Sequence, residues 1–180
     1  LDDNQFFAEL SGDYNPIHVD PIISRRYMFG EPIVHGMHVL FWSLESWLNE
    51  MKVPIKLEFL KISFPKAVVL EKSVLLSVVN HDKQSLIEVK QNDILCAKIK
   101  ILYTNNIVDD TNYIDTNYIN DNPQKKEPKE ESLNNLKNFS GELKNYLKTD
   151  LFFKKFPNLF KSTSTIHLAS LLTATRLVGM

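Results

Sequence analysis

One apolar stretch at helical spacing, followed by a series of strands with no second helix among them, limits the folds open to this chain. From Pro32 onward Val34, Met37, Leu40, Phe41, Leu44, Trp47 and Leu48 recur with a helical period until Asn49 and Pro54 stop the pattern, which predicts a buried helix of about three to four turns. Strand signals come next. Ile55, Leu57 and Phe59 alternate, then Leu60, Ile62 and Phe64 alternate in the opposite phase, so a bulge is expected near Phe59 and Leu60, with Pro65 closing the strand. Residues 67–80 are rich in Val and Leu, the turn-like His81-Asp82-Lys83 follows, and two further strands are expected over 85–90 and 94–103 around Gln91-Asn92-Asp93. In the last of these, Cys96 is out of phase with Ala97, Ile99, Ile101 and Tyr103. A long buried helix ahead of consecutive antiparallel strands is an α+β pattern, and a curved sheet wrapped around the helix is the simplest way to cover its apolar surface.

Composition narrows the function. With 43% hydrophobic residues in 180, a sizeable core can be buried. The formal net charge of -1, with lysines and acidic residues mixed along the chain, offers no footprint for nucleic acid. Cys96 is the single cysteine, so an intrachain disulfide is excluded and a reducing, cytoplasmic setting is expected. No segment approaches the ~20 apolar residues of a membrane span, and no membrane partner is expected. The chain opens on Leu1 without a signal-like start, and its natural N-terminus is expected upstream.

Chemistry is concentrated in two short stretches. The first is Leu10-Ser11-Gly12-Asp13-Tyr14-Asn15-Pro16-Ile17-His18-Val19-Asp20-Pro21. A carboxylate and an imidazole five residues apart do not share one helix face, but an Asn-Pro turn can bring them together. The second is Pro32-Ile33-Val34-His35-Gly36-Met37, in which a glycine opens the apolar helix and leaves backbone N–H groups free to meet an anion. Singly, Asp13 reads as a turn residue and His18 as a structural histidine. Their joint spacing with the glycine-led helix favours an acid/base site.

This two-part signature resembles that of the MaoC-like, R-specific enoyl-thioester hydratases, over roughly residues 6–48. The resemblance implies a hot-dog fold and a hydro-lyase that adds water to a 2-enoyl thioester of coenzyme A or acyl carrier protein, or removes it from the (R)-3-hydroxyacyl thioester. It further implies that Asp13 and His18 are the catalytic dyad, that Asn15 fixes their loop, and that the Gly36 N–H is the oxyanion donor. The chemistry agrees: hydration needs a base for water, a proton donor at the α-carbon and stabilisation of the enolate oxygen, and a histidine suits proton transfer in both directions. His35 either orients the site or sits under the helix start. His38 stands where the family more often has an apolar residue and reads as a packing or entrance residue. The family pairs hot-dogs, so a homodimer or a double hot-dog pseudo-dimer is expected.

Other readings stay open beside this one. A non-catalytic hot-dog that binds an acyl thioester or supports an assembly would lack the dyad, which is intact here. A hot-dog thioesterase would place its acidic residue on the helix, where Glu45 is the carboxylate well inside the pattern. Asp13, His18, Asp20, His35 and His38 also invite a metal reading, but no His-Glu-x-x-His pattern is present and the turn is explained without a metal. Neither a metal nor an organic cofactor is expected. Ser43 and Ser46 are expected to bond back to the preceding turn, and Cys96 has no recognisable activating neighbour.

The chain divides into a MaoC-like domain over 1–104, a polar linker over 105–131 and a helical segment over 132–180. In the linker Thr111-Asn112-Tyr113-Ile114-Asp115 is echoed by Thr116-Asn117-Tyr118-Ile119-Asn120, ahead of a charged run from Gln124 to Glu131. Helical patterns return with Leu133, Leu136, Leu143 and Leu147, then an aromatic cluster of Phe152, Phe153, Phe156 and Phe160 is cut by Pro157. The Ser162-Thr163-Ser164-Thr165 run is a candidate cap. The stretch from Leu168 to Arg176 resembles the central helix of a second repeat, which leads to the expectation that the chain stops short of that repeat's sheet. Without strands of its own, the segment is expected to pack on the first domain or on another copy.

Overall fold

The computed structural model describes residues 2–51, 55–105, 148–162, 168, 171 and 172. Three helices lead the chain: α1 (Asp2–Ser11), α2 (Pro16–Val19) and α3 (Pro21–Ser24). The long helix α4 (Gly36–Glu50) precedes β1 (Lys56–Ser63), β2 (Leu75–His81), β3 (Gln84–Gln91) and β4 (Ile94–Thr104), and α5 (Thr149–Lys155) and α6 (Pro157–Ser162) follow. The strands form one antiparallel sheet in the order β1-β4-β3-β2. The buried helix with an open antiparallel sheet wrapped around it is the hot-dog arrangement.

Alternation sets the sheet's two faces. Ser85, Ile87, Val89 and Gln91 of β3 and Ile99, Ile101 and Tyr103 of β4 are buried, and Ile87, Ile99, Ile101 and Tyr103 share a core with Leu40, Phe41, Leu44 and Trp47 of α4. The outer face carries Glu88 between Lys90 and Lys98 at 3.4 and 3.3 Å, and hydrogen bonds from Lys98 and Lys90 hold the Glu88 carboxyl below its usual range.

Cys96, out of phase in the sequence, is a β-bulge. Val89 pairs with Ala97 and Lys90 with Leu95, so Cys96 is the extra residue and is buried together with Ala97. In β1 the register shifts between Leu57 and Phe59, which places the bulge at Glu58, before the expected Phe59 and Leu60. Two outward residues, Glu58 and Phe59, then stand in succession, and Phe59 is 47% exposed instead of sharing the inner face with Leu57. Strand β2 begins only at Leu75. Upstream of it, residues 68–70 lie beside 32–34, with Val34 N–H donating to Val68 O at 2.8 Å and Leu70 N–H to Pro32 O at 3.0 Å. Gln91 holds this segment in place, its side chain accepting from Val69 N and donating to Val69 O, both at 3.0 Å.

The expected α4 stops at Glu50 and starts at Gly36, and Ser43 and Ser46 bond back to Val39 O and Trp42 O as expected. Helix α1 was not anticipated. Its inner face, Asn4, Phe7, Ala8, Leu10 and Ser11, includes two polar residues, which blurs its helical period. The aromatic segment breaks as expected, with Phe156 between α5 and the Pro157 that opens α6. Both helices are seated on α1 and α4. Phe152 and Phe156 meet Phe41 at 5.4 and 5.7 Å between ring centroids, and Lys155 pairs with Asp3. The repeat at 111–120, Leu133, Leu136, Leu143, Leu147 and most of 163–180 lie outside the described residues. Among the described residues, no helix is long and apolar enough to cross a membrane.

Candidate active site

Backbone and side-chain caps shape the loop that carries Asp13 and His18. Gly12, at φ 74, ends α1 in the left-handed conformation, with its N–H on Ala8 O at 2.7 Å. Asp13 Oδ1 accepts from Asn15 N at 3.1 Å, and Asn15 Oδ1 accepts from Ile17 N at 3.1 Å, which caps α2 with Pro16 at its first position. Asp20 Oδ1 caps α3 in turn, accepting from Ile22 N and Ile23 N at 2.8 and 2.9 Å. Asp20 is thus a capping residue. The spacing Asp13-x-Asn15-Pro16-x-His18 therefore builds a turn followed by a single helical turn with His18 on it.

His18 Nδ1 lies 2.9 Å from Ile33 O. A carbonyl only accepts, so Nδ1 carries a proton, and in the neutral ring Nε2 is then the acceptor. His35 stacks on the His18 ring with centroids 3.9 Å apart and an interplanar angle of 26°. Its Nε2 donates to Asp13 O at 3.0 Å and lies 4.0 Å from Asp13 Oδ2. Burial, reinforced by His18, lowers the His35 pKa to about 4, so the ring is neutral near pH 7. His35 precedes Gly36 as the α4 N-cap, and its ring is bonded to the Asp13 loop.

Asp13, His18, His35 and Gly36 all line one cavity of about 410 Å³, whose other walls include Phe29, Met37, Phe64 and Val68. Asn15 is not on this wall and acts from behind through the turn. A carboxylate oxygen of Asp13 and one ring nitrogen each of His18 and His35 lie within 4.8 Å of one another, a separation that one water bridges with two hydrogen bonds. The same proximity would suit a cation. His35 uses Nε2 on Asp13 O, while its buried Nδ1 makes no hydrogen bond among the described residues. Gly36 is the first residue of α4 and stands where a helix leaves N–H groups without an intrahelical partner.

His38 lies one turn farther on. It stacks on Phe7 at 4.7 Å and meets Phe156 edge-on at 6.2 Å, and burial followed by the influence of His35 lowers its pKa to about 4. It is a packing residue that also lines a second cavity of about 200 Å³, separated from the first by a wall to which Val34, Val39 and Val68 contribute on both sides. Glu45, the carboxylate a thioesterase would use, is engaged elsewhere: it accepts from Asn158 N and Nδ2 at 3.0 and 2.8 Å and from Leu159 N at 2.8 Å, at the start of α6. Asn4 was missed in the sequence. Fully buried on α1, it donates from Nδ2 to His18 O at 2.9 Å and Ile33 O at 3.0 Å, and a polar residue at helical spacing with Phe7 and Ser11 is the signal it leaves in the sequence.

Residues 1–97 match the model of the family described as MaoC like domain, more than half of the chain. A stretch of 50 residues is 48% identical to the (R)-specific enoyl-CoA hydratase of Aeromonas caviae, covering 28% of this chain and 36% of that protein. Another of 66 residues is 36% identical to the peroxisomal hydratase-dehydrogenase-epimerase of Saccharomyces cerevisiae, covering 35% of this chain and 7% of that protein. The matched stretches thus span well under two thirds of either relative. The solved (R)-hydratase from A. caviae involved in PHA biosynthesis aligns over 54% of this chain and 81% of its own, with a TM-score of 0.43 and 27% identity.

Proposed function

Since this chain belongs to the MaoC-like domain family, we propose that residues 1–104 form a hydro-lyase unit that adds water to a 2-enoyl thioester, with acyl-CoA as the substrate class. The observation that carries this reading is the placement of the Asp13 carboxylate, the His18 ring and the Gly36 helix start on one cavity. The His18–Ile33 bond leaves Nε2 as an acceptor. Asp13 and His18 together accept the two hydrogens of one water, whose oxygen is then directed at the β-carbon. As the C–O bond forms, the dyad takes one proton from the water, and negative charge moves onto the thioester oxygen. The Gly36 N–H faces that charge from the start of α4, where the helix dipole adds to it. The proton held by the dyad passes to the α-carbon, giving the 3-hydroxyacyl thioester; the reverse sequence is dehydration. The apolar walls at Phe29, Met37 and Val68 receive the acyl group.

The thioesterase reading loses its carboxylate to α6, because Glu45 makes three hydrogen bonds there. Loss of enoyl-thioester absorbance with crotonyl-CoA tests the hydratase reading. Asp13→Asn and His18→Ala are each expected to lower kcat by about a hundredfold or more, the usual worth of positioned acid–base groups, with the fold unchanged. Near-parental turnover in both variants would overturn the assignment.

A further inference from the structure

Both ends of His18 converge on one buried side chain of α1. Ile33 sits in an extended segment, so its backbone groups face the side opposite to those of Pro32 and Val34. Pro32 O and Val34 N are taken by Leu70 and Val68. Ile33 N–H and C=O therefore face α2: the N–H donates to Ile17 O at 3.2 Å, and the oxygen accepts from His18 Nδ1 at 2.9 Å. The same oxygen accepts from Asn4 Nδ2 at 3.0 Å, and the other Asn4 N–H goes to the backbone oxygen of His18 at 2.9 Å.

We propose that Asn4 is a positioning residue that sets the orientation and tautomer of His18, an inference that rests on the hydratase reading above. Two carbonyl oxygens, each about 3 Å from one nitrogen, repel one another unless a donor stands between them, and a carboxamide supplies two N–H groups from a single atom. Ile33 O also accepts the Nδ1 proton of His18, so the amide that separates the carbonyls fixes the acceptor that selects the His18 tautomer. Asn4 is fully buried, so water does not replace it at low cost when it is removed. It touches neither the cavity that holds Asp13 and His18 nor any reacting atom, and acts only through the imidazole. Neighbouring Gln5 provides the contrast: its bond to Val19 O, at 3.2 Å, is exposed.

The test joins kinetics to NMR on the 180-residue chain. Asn4→Leu keeps the volume and loses both donors; kcat for crotonyl-CoA is expected to fall about tenfold or more, the scale of a displaced catalytic group, with KM changed less than about twofold. Gln5→Ala is expected to match the parent. In 15N spectra the parent His18 should be protonated at Nδ1, and Asn4→Leu should show a mixture with the Nε2-protonated form. In the parent itself both Asn4 Nδ2 protons should exchange slowly, a measurement that survives if the variant does not fold. Fast exchange of either proton, an unchanged tautomer in the folded variant, or an unchanged kcat in an active enzyme would each overturn the proposal. If the parent does not hydrate crotonyl-CoA, the hydratase reading fails, while the tautomer and exchange results still decide the role of Asn4.

Discussion

At residue scale, Gly36 separates the N–H from the side chain that a substitution would add. A Cβ there would meet the Phe64 ring at 3.2 Å, so alanine and proline push on the same aromatic edge. Only proline removes the N–H. The first helical position tolerates proline, and His35, at φ -56 and ψ 131, already has the extended backbone that a following proline requires. Gly36→Pro should therefore keep α4 while turning over crotonyl-CoA about a hundredfold more slowly than Gly36→Ala, the usual loss for one oxyanion donor; equal rates in the two folded variants would remove Gly36 from that role. The buried histidines give a second prediction at this scale. His35 and His38 are held at about 4, below the ~6.5 of an unfolded histidine. The unfolded chain binds more protons between those values, so the stability that both neutral rings contribute is complete above about pH 6.5 and is lost as pH falls toward 4. Around His38, Asp3 opposes this lowering, while His35 and Lys155 add to it. His38→Phe keeps a ring against Phe7 and should flatten the dependence of urea midpoint on pH in that window; an unchanged slope would refute it. Asp13, His18 and Gly36 were legible because local turn chemistry and a helix start imposed their spacing. Asn4 was not, since its partners lie 14 and 29 residues away and only the folded chain brings them together.

Among the elements, α4 contributes to the wall between the two cavities. Val39 faces both cavities together with Val34 and Val68, and it is the member of that wall on the helix, where a shortened side chain does not disturb the 32–34 and 68–70 pairing. Val39→Ala should thin the wall, cost about 1–3 kcal/mol for the lost methyl groups and the cavity left behind, and raise the ratio of octenoyl-CoA to crotonyl-CoA kcat/KM. An unchanged ratio in a folded variant would mean that the second cavity takes no part in acyl binding. Sequence periodicity located the long helix and the strands because their apolar faces are continuous. It showed Cys96 as a break in phase without saying which side the extra residue takes, because that depends on pairing with Val89 and Lys90. It put the β1 bulge too late, since Phe59 looks like a core residue until the register with Leu102 turns it outward. The partner of the α6 N-terminus was equally hidden: Glu45 and Leu159 are 114 residues apart.

For the whole molecule, the sheet has two ends, β1 and β2, and neither edge is paired among the described residues. Strand β2 also exposes Leu75 at 63% and Val79 at 51%. An open edge with apolar side chains beside it is a template for another strand, and soluble proteins leave such edges bare only with charge or proline to protect them. The outer residues of β2 carry neither. Among the described residues, α5 and α6 do not close this edge. Phe152, Phe156 and Leu159 are buried against Phe41 and its neighbours on α4, and Glu45 secures the start of α6 there. A second hot-dog, in another copy of the chain, is therefore expected to meet the edge, as symmetric oligomers commonly do. Light scattering at micromolar concentration should give twice the mass of the 20.8 kDa chain. Replacing both residues, Leu75→Lys with Val79→Lys, should shift the mass to one chain and lower crotonyl-CoA turnover, while far-UV circular dichroism stays that of the parent because both side chains point to solvent. A parent that remains a monomer with full turnover would show that a single sheet is sufficient and that the exposed strand serves some other contact.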